Sequence, residues 1–266
     1  MTAIVAVFAG VLGLVLGSFA NVPIHRWPRG GTVAQPRRSS CPSCGQPIAP
    51  RDNIPVASWL LLRGRCRRCN ASIPVRYLLV ELATGALFAA AVVVWWPQPY
   101  LAAVLVLVWS LVVATAIDLE HRIIPNRLTL RLPLVLLPLL VVAAAVDGAW
   151  VDLRRAVIAA VALPLAMFLL SEGFRLLRGQ PGIGMGDIKL APSLGLAVGY
   201  LGGLELVVFG YATVIVAVLV ALGLLAAGRA KLASRIPFGP YLAVGALLPV
   251  LAQEPSTRLV RSLLGL

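Results

Sequence analysis

Eight runs of apolar residues divide the sequence, separated by shorter segments that hold most of the charged positions. The runs lie at residues 2–22, 77–96, 100–117, 128–146, 153–177, 189–203, 204–227 and 238–252. About 20 apolar residues suffice for one helical crossing of a bilayer, and such long runs predict helices rather than strands. The sixth run is short and rich in Gly and Pro. The pattern therefore predicts an all-α polytopic membrane protein with about eight transmembrane helices.

The composition agrees with this class of protein. Hydrophobic residues make up 60% of the chain and charged residues 12%, whereas an ordinary soluble domain carries about 25% charged residues. The net charge of +13 comes mainly from arginines that cluster in particular loops. In a membrane protein such clusters indicate orientation rather than a polyanionic partner. We therefore expect contact with membrane lipid and no nucleic-acid partner.

The basic residues also assign the two sides of the membrane. With eight crossings, one side receives 19 of the 23 Lys and Arg residues, in the loops 23–76, 118–131, 175–189 and 228–237. Loops rich in Lys and Arg mark the cytoplasmic side of the plasma (inner) membrane. The first run has no charge before it and Arg26 and Arg29 after it, the reverse of a secretory signal peptide. We expect a retained first helix whose N-terminus lies outside.

All four cysteines lie in the first of these loops, within CPSCGQPIAPRDNIPVASWLLLRGRCRRC at residues 41–69. They form two Cys-x-x-Cys pairs, each of which can supply two ligands to a tetrahedral zinc ion. Disulfides or free thiols are the alternatives, although a cytoplasmic loop is kept reduced. The spacing predicts one structural zinc ion with a closed shell and no open catalytic position, bound by Cys41, Cys44, Cys66 and Cys69.

Two aspartates stand out because acids at membrane depth are costly and need a reason. Asp118 ends the third run in ATAIDLEHRIIPN, and Asp187 precedes the sixth run in GIGMGDIKLAPS. Each acid alone could be a helix-end charge, and Asp187 could cap a helix N-terminus. Eight crossings, however, place both acids and the cysteine loop on the cytoplasmic side. Two carboxylates that share a proton there could activate water and cleave a peptide bond without a metal.

Other charged residues have simpler explanations. Glu81 lies near Arg76 and Glu172 near Arg175, so helical ion pairs are expected at both places. His121 lies one turn after the first aspartate and could tune it, although a single histidine near a membrane is usually a loop residue. Four arginines beside the second cysteine pair are expected to contact anionic headgroups rather than substrate: Arg63, Arg65, Arg67 and Arg68.

Five blocks of sequence in fixed order resemble the type IV prepilin leader peptidase family, which also serves type II secretion pseudopilins. They are GSFANVPIHRWP, the double Cys-x-x-Cys loop with NIPVASWLLLRGRC, PVRYLLVELATG, GMGDIKL and PFGPYLAVGA. The resemblance covers most of the chain and leaves residues 253–266 outside it. Family variants have either Asp or Asn at the position of Asn126.

The resemblance implies an aspartic peptidase in the plasma membrane that cuts a prepilin or pseudopilin leader after a glycine. It further implies that Asp118 and Asp187 are catalytic and that the four cysteines bind zinc. Family members with this cysteine loop also methylate the new N-terminus from S-adenosylmethionine. We find no cofactor-binding signature in the sequence, so the methyl-donor site is left unassigned and methyl transfer rests on analogy alone.

These expectations divide the chain into four parts. Residues 1–22 form the first transmembrane helix, 23–76 a cytoplasmic zinc-binding loop associated with methyl transfer, 77–252 the aspartic peptidase core, and 253–266 a C-terminal tail. Two other functions stay open at this point. One is an ion-coupled transporter, since membrane carboxylates also carry protons, and the other is a zinc-braced pilus-assembly platform without catalysis.

Overall fold

The computed structural model describes residues 1–35, 39–228 and 236–252, so the predicted tail at 253–266 lies outside the described residues. Within the described part of the chain the protein is all-helical, with ten α-helices and two isolated β-bridges. The chain divides into two compact units, Met1–Trp96 and Pro97–Leu266. The first unit therefore includes the second predicted span, which the sequence grouped with the peptidase core.

The first unit is built on two long helices, α1 (Thr2–Arg26) and α3 (Val75–Trp95). They pack antiparallel, because successive positions along α1 meet successively earlier positions along α3. A Cβ atom on Gly13 would lie 2.7 Å from the Thr84 carbonyl oxygen, and one on Gly17 would lie 2.8 Å from Cα of Glu81. Small residues thus let the two backbones approach closely, as in many membrane helix pairs.

The loop between these helices has little regular structure. It contains a 3-10 turn at Trp27–Arg29, a second at Pro50–Asp52 and the short helix α2 (Ala57–Leu61). Two antiparallel bridges, Ser40 with Pro47 and Arg65 with Ser72, each enclose one Cys-x-x-Cys pair. The two cysteine turns therefore have the same local construction.

The described part of the second unit contains seven helices. They are α4 (Leu101–His121), α5 (Asn126–Thr129), α6 (Leu132–Asp147), α7 (Trp150–Arg178), α8 (Met185–Leu201), α9 (Gly203–Ala226) and α10 (Gly239–Leu251). Helix α8 lies at the centre, in contact with each of the other six. Almost every residue from Asp187 to Tyr200 is buried. This central position makes α8 the scaffold for the residues at its two ends.

Small residues make this burial possible. A Cβ on Gly195 would lie 2.5 Å from the Ala159 carbonyl oxygen of α7, so the two helices touch through backbone. Two residues further along α8 the Tyr100 hydroxyl donates a 2.7 Å hydrogen bond to the Ala197 carbonyl, and the Tyr100 and Tyr200 rings stack. The glycines that shorten the sixth apolar run therefore serve close packing.

All eight predicted runs are helical in the structure. Six helices in the described chain are long and apolar enough to cross a membrane: Thr2–Arg29, Val75–Trp95, Leu101–His121, Asn126–Asp147, Trp150–Arg178 and Gly203–Ala226. The sixth and eighth runs correspond to α8 and α10, which are shorter, so the count of eight crossings stays a prediction. Helix α8 also begins before residue 189, because Gly184 is its N-cap residue. The second predicted aspartate therefore lies inside the first turn of the helix.

Candidate active site and metal centre

Asp118 lies in the last turn of α4 and is almost completely buried. Its Oδ2 accepts a 2.9 Å hydrogen bond from the backbone N–H of Gly239, the first residue of α10. The apolar face of α4 packs on α8 and α10, and this packing carries the acid into the helix bundle. A buried carboxylate needs such a donor, since burial without a hydrogen bond is costly.

Asp187 is the third residue of α8 and is also buried. Its Oδ2 lies beside Gly184, the N-cap residue, where an acid in the first helical turn commonly interacts with the free N–H groups. This is the position that the capping interpretation predicts. However, Oδ1 of Asp187 is buried and has no hydrogen-bond partner among the residues that the structure describes. Capping therefore explains only one of its two oxygens.

The two aspartates, far apart in sequence, belong to the same local cluster. Helices α4 and α8 are in contact, and the carboxylates of Asp118 and Asp187 interact electrostatically. Glycines line the acids: a Cβ on Gly184 would lie 2.7 Å from Oδ2 of Asp187, and one on Gly239 would lie 2.9 Å from Oδ2 of Asp118. Only residues without side chains leave the carboxylates this much room.

Polar residues near the acids form contacts of their own. Nζ of Lys189 donates a 3.0 Å hydrogen bond to Oδ1 of Asn126, which joins α8 to α5. Nε2 of His121 lies 3.8 Å from Oε2 of Glu120. The contact that the structure records for His121 is therefore with its neighbouring glutamate. Its predicted influence on Asp118 stays a prediction.

Gly239 is the residue that sequence reasoning missed. It belongs to the block PFGPYLAVGA, which contributed to the family resemblance without any assigned role. Its contribution is a backbone N–H, and every residue except proline offers one. The only available signal was its position two residues after Pro237 and directly before Pro240, which marks the start of a helix.

The four cysteines form a second cluster, in the first unit. Their Sγ atoms all lie within 4.8 Å of one another, and Sγ of Cys41 lies 3.8 Å from Sγ of Cys69. A tetrahedral zinc ion with Zn–S distances of about 2.3 Å places its sulfur ligands about 3.8 Å apart. All four cysteines belong to the described chain and are free thiols, without a disulfide. The cluster has the size and donor set of a closed zinc site.

Backbone N–H groups stabilise the thiolate form of two of these cysteines. Hydrogen bonds from the N–H groups of Cys44 and Ser43 lower the pKa of Cys41 to about 6. The N–H groups of Cys69 and Arg68 likewise lower the pKa of Cys66. Since thiolates and not thiols bind zinc, turns that stabilise thiolates favour metal binding.

Cys69 behaves differently. The Ala71 N–H lowers its pKa, but burial and the neighbouring thiols of Cys66, Cys44 and Cys41 outweigh that effect and raise the pKa to about 11. A fourth negative charge beside three sulfur atoms needs a cation to balance it. This is the electrostatic requirement that a bound divalent metal meets.

The remaining predicted charged residues have mixed outcomes. Arg175 pairs with Glu172 three residues before it, which confirms that expectation. Nε and Nη2 of Arg67 both donate hydrogen bonds to Asp52, and these bonds lower the pKa of Asp52. Headgroup contact for the arginines and the pairing of Glu81 with Arg76 stay predictions.

The fold and both sites define a polytopic helical membrane protein with a buried carboxylate pair and a four-cysteine centre. The profile of the Bacterial Peptidase A24 N-terminal domain matches residues 11–95, and that of the Type IV leader peptidase family matches residues 105–227. The chain belongs to the type IV leader peptidase family. These two matched regions fall on either side of the division at Trp96.

Curated relatives agree over nearly the whole length. The prepilin leader peptidase/N-methyltransferase of Burkholderia pseudomallei (strain 1026b) is 39% identical over 266 residues, covering 90% of this chain and 82% of the relative. Proteins of the same name from Aeromonas hydrophila (38%, with 93% and 91% covered) and Pectobacterium carotovorum subsp. carotovorum (38%, with 89% of each covered) are similarly close. No solved structure matches this chain.

Proposed function

We propose that this protein is a membrane-embedded aspartic endopeptidase that removes the leader of type IV prepilins or type II secretion pseudopilins and then methylates the new N-terminus. The observation that carries the peptidase proposal is the pair of buried carboxylates, Asp118 and Asp187, on neighbouring helix ends. Family membership favours this function over the transporter and the assembly platform, because the relatives are named as leader peptidases.

The proposed chemistry uses one proton between two acids. Like charges that face each other in a poorly solvated site repel, so the state with one shared proton is favoured. The ionised carboxylate removes a proton from a water molecule as the water attacks the scissile carbonyl, while the protonated one donates to the carbonyl oxygen. The unpartnered Oδ1 of Asp187 is available to hold that water. As the C–N bond then breaks, the carboxyl that took the water proton donates it to the leaving nitrogen, and the other carboxylate takes back a hydroxyl proton, so the pair again holds one proton.

The glycines around the acids suit a peptide substrate. Gly184 lies against Asp187 and Gly239 against Asp118, and neither adds a side chain over the carboxylates. An extended backbone can therefore approach both acids, which a scissile peptide bond must do. Prepilins carry the cut at the junction of a charged leader and an apolar helix. Such a junction lies where a helix leaves the membrane.

The proposed topology has eight crossings, with α8 and α10 as the sixth and eighth. Both are short, but α8 is enclosed by six other helices, so protein rather than lipid surrounds most of it. This arrangement places 19 of 23 basic residues, both aspartates and the cysteine loop on the cytoplasmic side. The cut then occurs on the side where the leader emerges.

Zinc is proposed as a structural ion bound by the four cysteines, which would hold the two cysteine turns together. A closed four-thiolate shell supplies no chemistry to the peptidase step. In this scheme the loop 23–76 supports methyl transfer and residues 77–252 carry out cleavage. S-adenosylmethionine supplies the methyl group when bound.

The direct test uses the purified protein in detergent with a prepilin segment that spans the leader junction, followed by mass analysis of the products. Asp118→Asn and Asp187→Asn are each expected to abolish cleavage while zinc content and helix content stay normal. Asp152→Asn is the matched control, since Asp152 pairs with Arg155 on the exposed start of α7. Full cleavage by either active-site variant overturns the shared-proton mechanism. Normal pilus assembly without cleavage would favour the platform, and ion-dependent flux in vesicles would favour the transporter.

A further inference from the structure

The first unit encloses a cavity that the peptidase mechanism does not use. It has a volume of about 540 Å³ and lies among α1, the start of α3 and the cysteine loop. Small-molecule sites typically occupy about 300–1,000 Å³. The cavity is therefore large enough for a cosubstrate, and the residues on its walls indicate which chemistry it accepts.

Asn21 lines this cavity with an unused hydrogen-bond acceptor. The residue is 4% exposed, and its Nδ2 donates to the carbonyl oxygens of Gly17 at 3.3 Å and Tyr77 at 3.4 Å. Its Oδ1 is buried and has no partner in the described part of the chain. Buried polar atoms are almost always paired, so an orphan acceptor on a cavity wall points to a ligand that donates.

Glu81 places a second acceptor on the same wall. It is 8% exposed and lines the cavity, and its Oε2 accepts a 2.7 Å hydrogen bond from the N–H of Val56. Val56 has φ of 61°, a positive value that a β-branched residue rarely adopts. Strained backbone of this kind concentrates at ligand sites, where it fixes a group in place. Here it holds the loop backbone against the carboxylate.

Helix packing brings the two acceptors together. Gly17 of α1 faces Glu81 of α3, and Asn21 reaches Tyr77 one turn earlier on α3. Because the helices run antiparallel, Asn21 and Glu81 lie one helical turn apart along the same contact line. An anionic acceptor and a neutral acceptor at this spacing favour a ligand with a cationic amine or with hydroxyl groups.

Other walls of the cavity complement different parts of such a ligand. Arg26 and Arg29 also line the cavity, and a guanidinium group suits a carboxylate. Trp59 also lines the cavity and is held by a 3.2 Å hydrogen bond from its Nε1 to the Ile73 carbonyl. A fixed aromatic ring suits a flat heterocycle. The required ligand thus combines amine or hydroxyl donors, a carboxylate and an aromatic base.

We infer that this cavity is the binding site for S-adenosylmethionine, with Glu81 and Asn21 accepting hydrogen bonds from its amine or ribose hydroxyl groups. The methyl donor carries all three features: an α-ammonium and hydroxyl groups, a carboxylate, and an adenine ring. This inference rests on the methyl-transfer part of the proposed function, because it names the site of the methyl donor.

The test measures equilibrium binding of radiolabelled S-adenosylmethionine to the purified full chain in detergent. Glu81→Gln and Asn21→Leu are expected to raise the dissociation constant by about tenfold or more, since each removes one buried hydrogen bond to the ligand. Glu172→Gln is the matched control, because Glu172 pairs with Arg175 on α7. Zinc content and circular dichroism report the fold of each variant.

A second measurement needs no variant. Ultraviolet crosslinking of the radiolabelled donor to the wild-type chain, followed by peptide mapping, is expected to label peptides within residues 18–35 or 39–81. Labelling confined to peptides from residues 97–252 overturns the inference, as does unchanged binding in both well-folded variants. If the wild-type protein cleaves prepilin but neither methylates it nor binds the donor, the methyl-transfer proposal itself is wrong. If the wild-type protein methylates prepilin and both variants bind the donor normally, only the assigned binding site is wrong.

Discussion

The backbone N–H of Gly239 donates a 2.9 Å hydrogen bond to Oδ2 of Asp118, between residues 121 positions apart in the chain. The bond ties the first residue of α10 to the last turn of α4. Because one carboxylate oxygen is held by a backbone group, the acid is oriented by packed helices and not by a loop. This is the kind of support that preorganised catalytic groups receive.

The first prediction concerns this contact. In Gly239→Ala the added Cβ would lie 2.9 Å from Oδ2 of Asp118 and 3.3 Å from its Cγ. We expect the carboxylate to move and kcat/KM for leader cleavage to fall about tenfold or more, which corresponds to about 1.4 kcal/mol in the activation barrier. Peptide cleavage followed by mass spectrometry measures the change.

The control for Gly239→Ala is Gly210→Ala. Gly210 lies within α9, and a Cβ there would meet no atom of the described residues within 4 Å. Alanine is favoured over glycine inside a helix by about 1 kcal/mol, so this variant is expected to keep full activity and equal or greater stability. Equal activity of the two variants would show that the space beside Asp118 has no role in catalysis.

The second prediction is that the two aspartates act as one unit. Asp118→Asn and Asp187→Asn are each expected to reduce kcat to the background rate, and the double variant is expected to lose no more than either single one. Residues of one catalytic device are non-additive because removing either member stops the same step. Independent, additive losses would argue for two separate roles.

A binding measurement completes the second prediction. Labelled prepilin should bind both single variants with an affinity within a few fold of wild type, because Asn has nearly the shape of Asp. Loss of substrate binding in parallel with cleavage would instead assign the acids to recognition. Circular dichroism of each variant checks that the helices are intact.

The third prediction concerns the cysteine cluster. Elemental analysis of the purified protein should find one zinc ion per chain, and Cys41→Ser should lose it. Without metal the two cysteine turns lose their common anchor, so limited proteolysis should cut within residues 41–69. Methyl transfer should be lost before cleavage, since the cluster lies in the first unit and the aspartates in the second. Equal loss of both activities without general misfolding would contradict the separation of roles.

The fourth prediction tests the close contact of α1 with α3. In Gly13→Ala the new Cβ would lie 2.7 Å from the Thr84 carbonyl and 2.8 Å from Cα of Gly85, neither of which can move away by rotation. We expect a loss of about 1–3 kcal/mol in the free energy of unfolding of the first unit. Gly10→Ala is the matched control one turn earlier, where the nearest atoms lie at 3.6 Å and contact is ordinary. Thermal unfolding in one detergent compares the two, and similar midpoints would contradict this account.

Much of this protein could be predicted from sequence because the lipid environment leaves few choices. A run of about 20 apolar residues in lipid must satisfy its own backbone hydrogen bonds, so it forms a helix. The same reasoning identified Asp118 and Asp187, because acids stand out among apolar residues. The cysteine cluster was equally predictable, because the spacing of two Cys-x-x-Cys pairs is typical of a tetrahedral metal site.

Helix boundaries were less predictable where small residues replace large apolar ones. The start of α8 at Met185 lies before the predicted run, because its first turn contains Gly186 and Asp187 and lacks the apolar signal. The central position of α8 was not predicted either. The hydropathy of α8 is low compared with most of the other helices. Its glycines nevertheless allow direct backbone contact with α7.

The sequence by itself determined the helical class, the four-cysteine cluster and the two acids, because each depends on residue type and local spacing. Only the tertiary structure decided that Gly239 supports Asp118 and that Asn21 and Glu81 share a cavity wall. The first relationship depends on a backbone N–H, and the second depends on a buried cavity wall. Both arise only when segments that are distant in the sequence pack together. A backbone N–H donor is chemically the same at nearly every position. The residue type therefore does not predict which carboxylate a given N–H will bind.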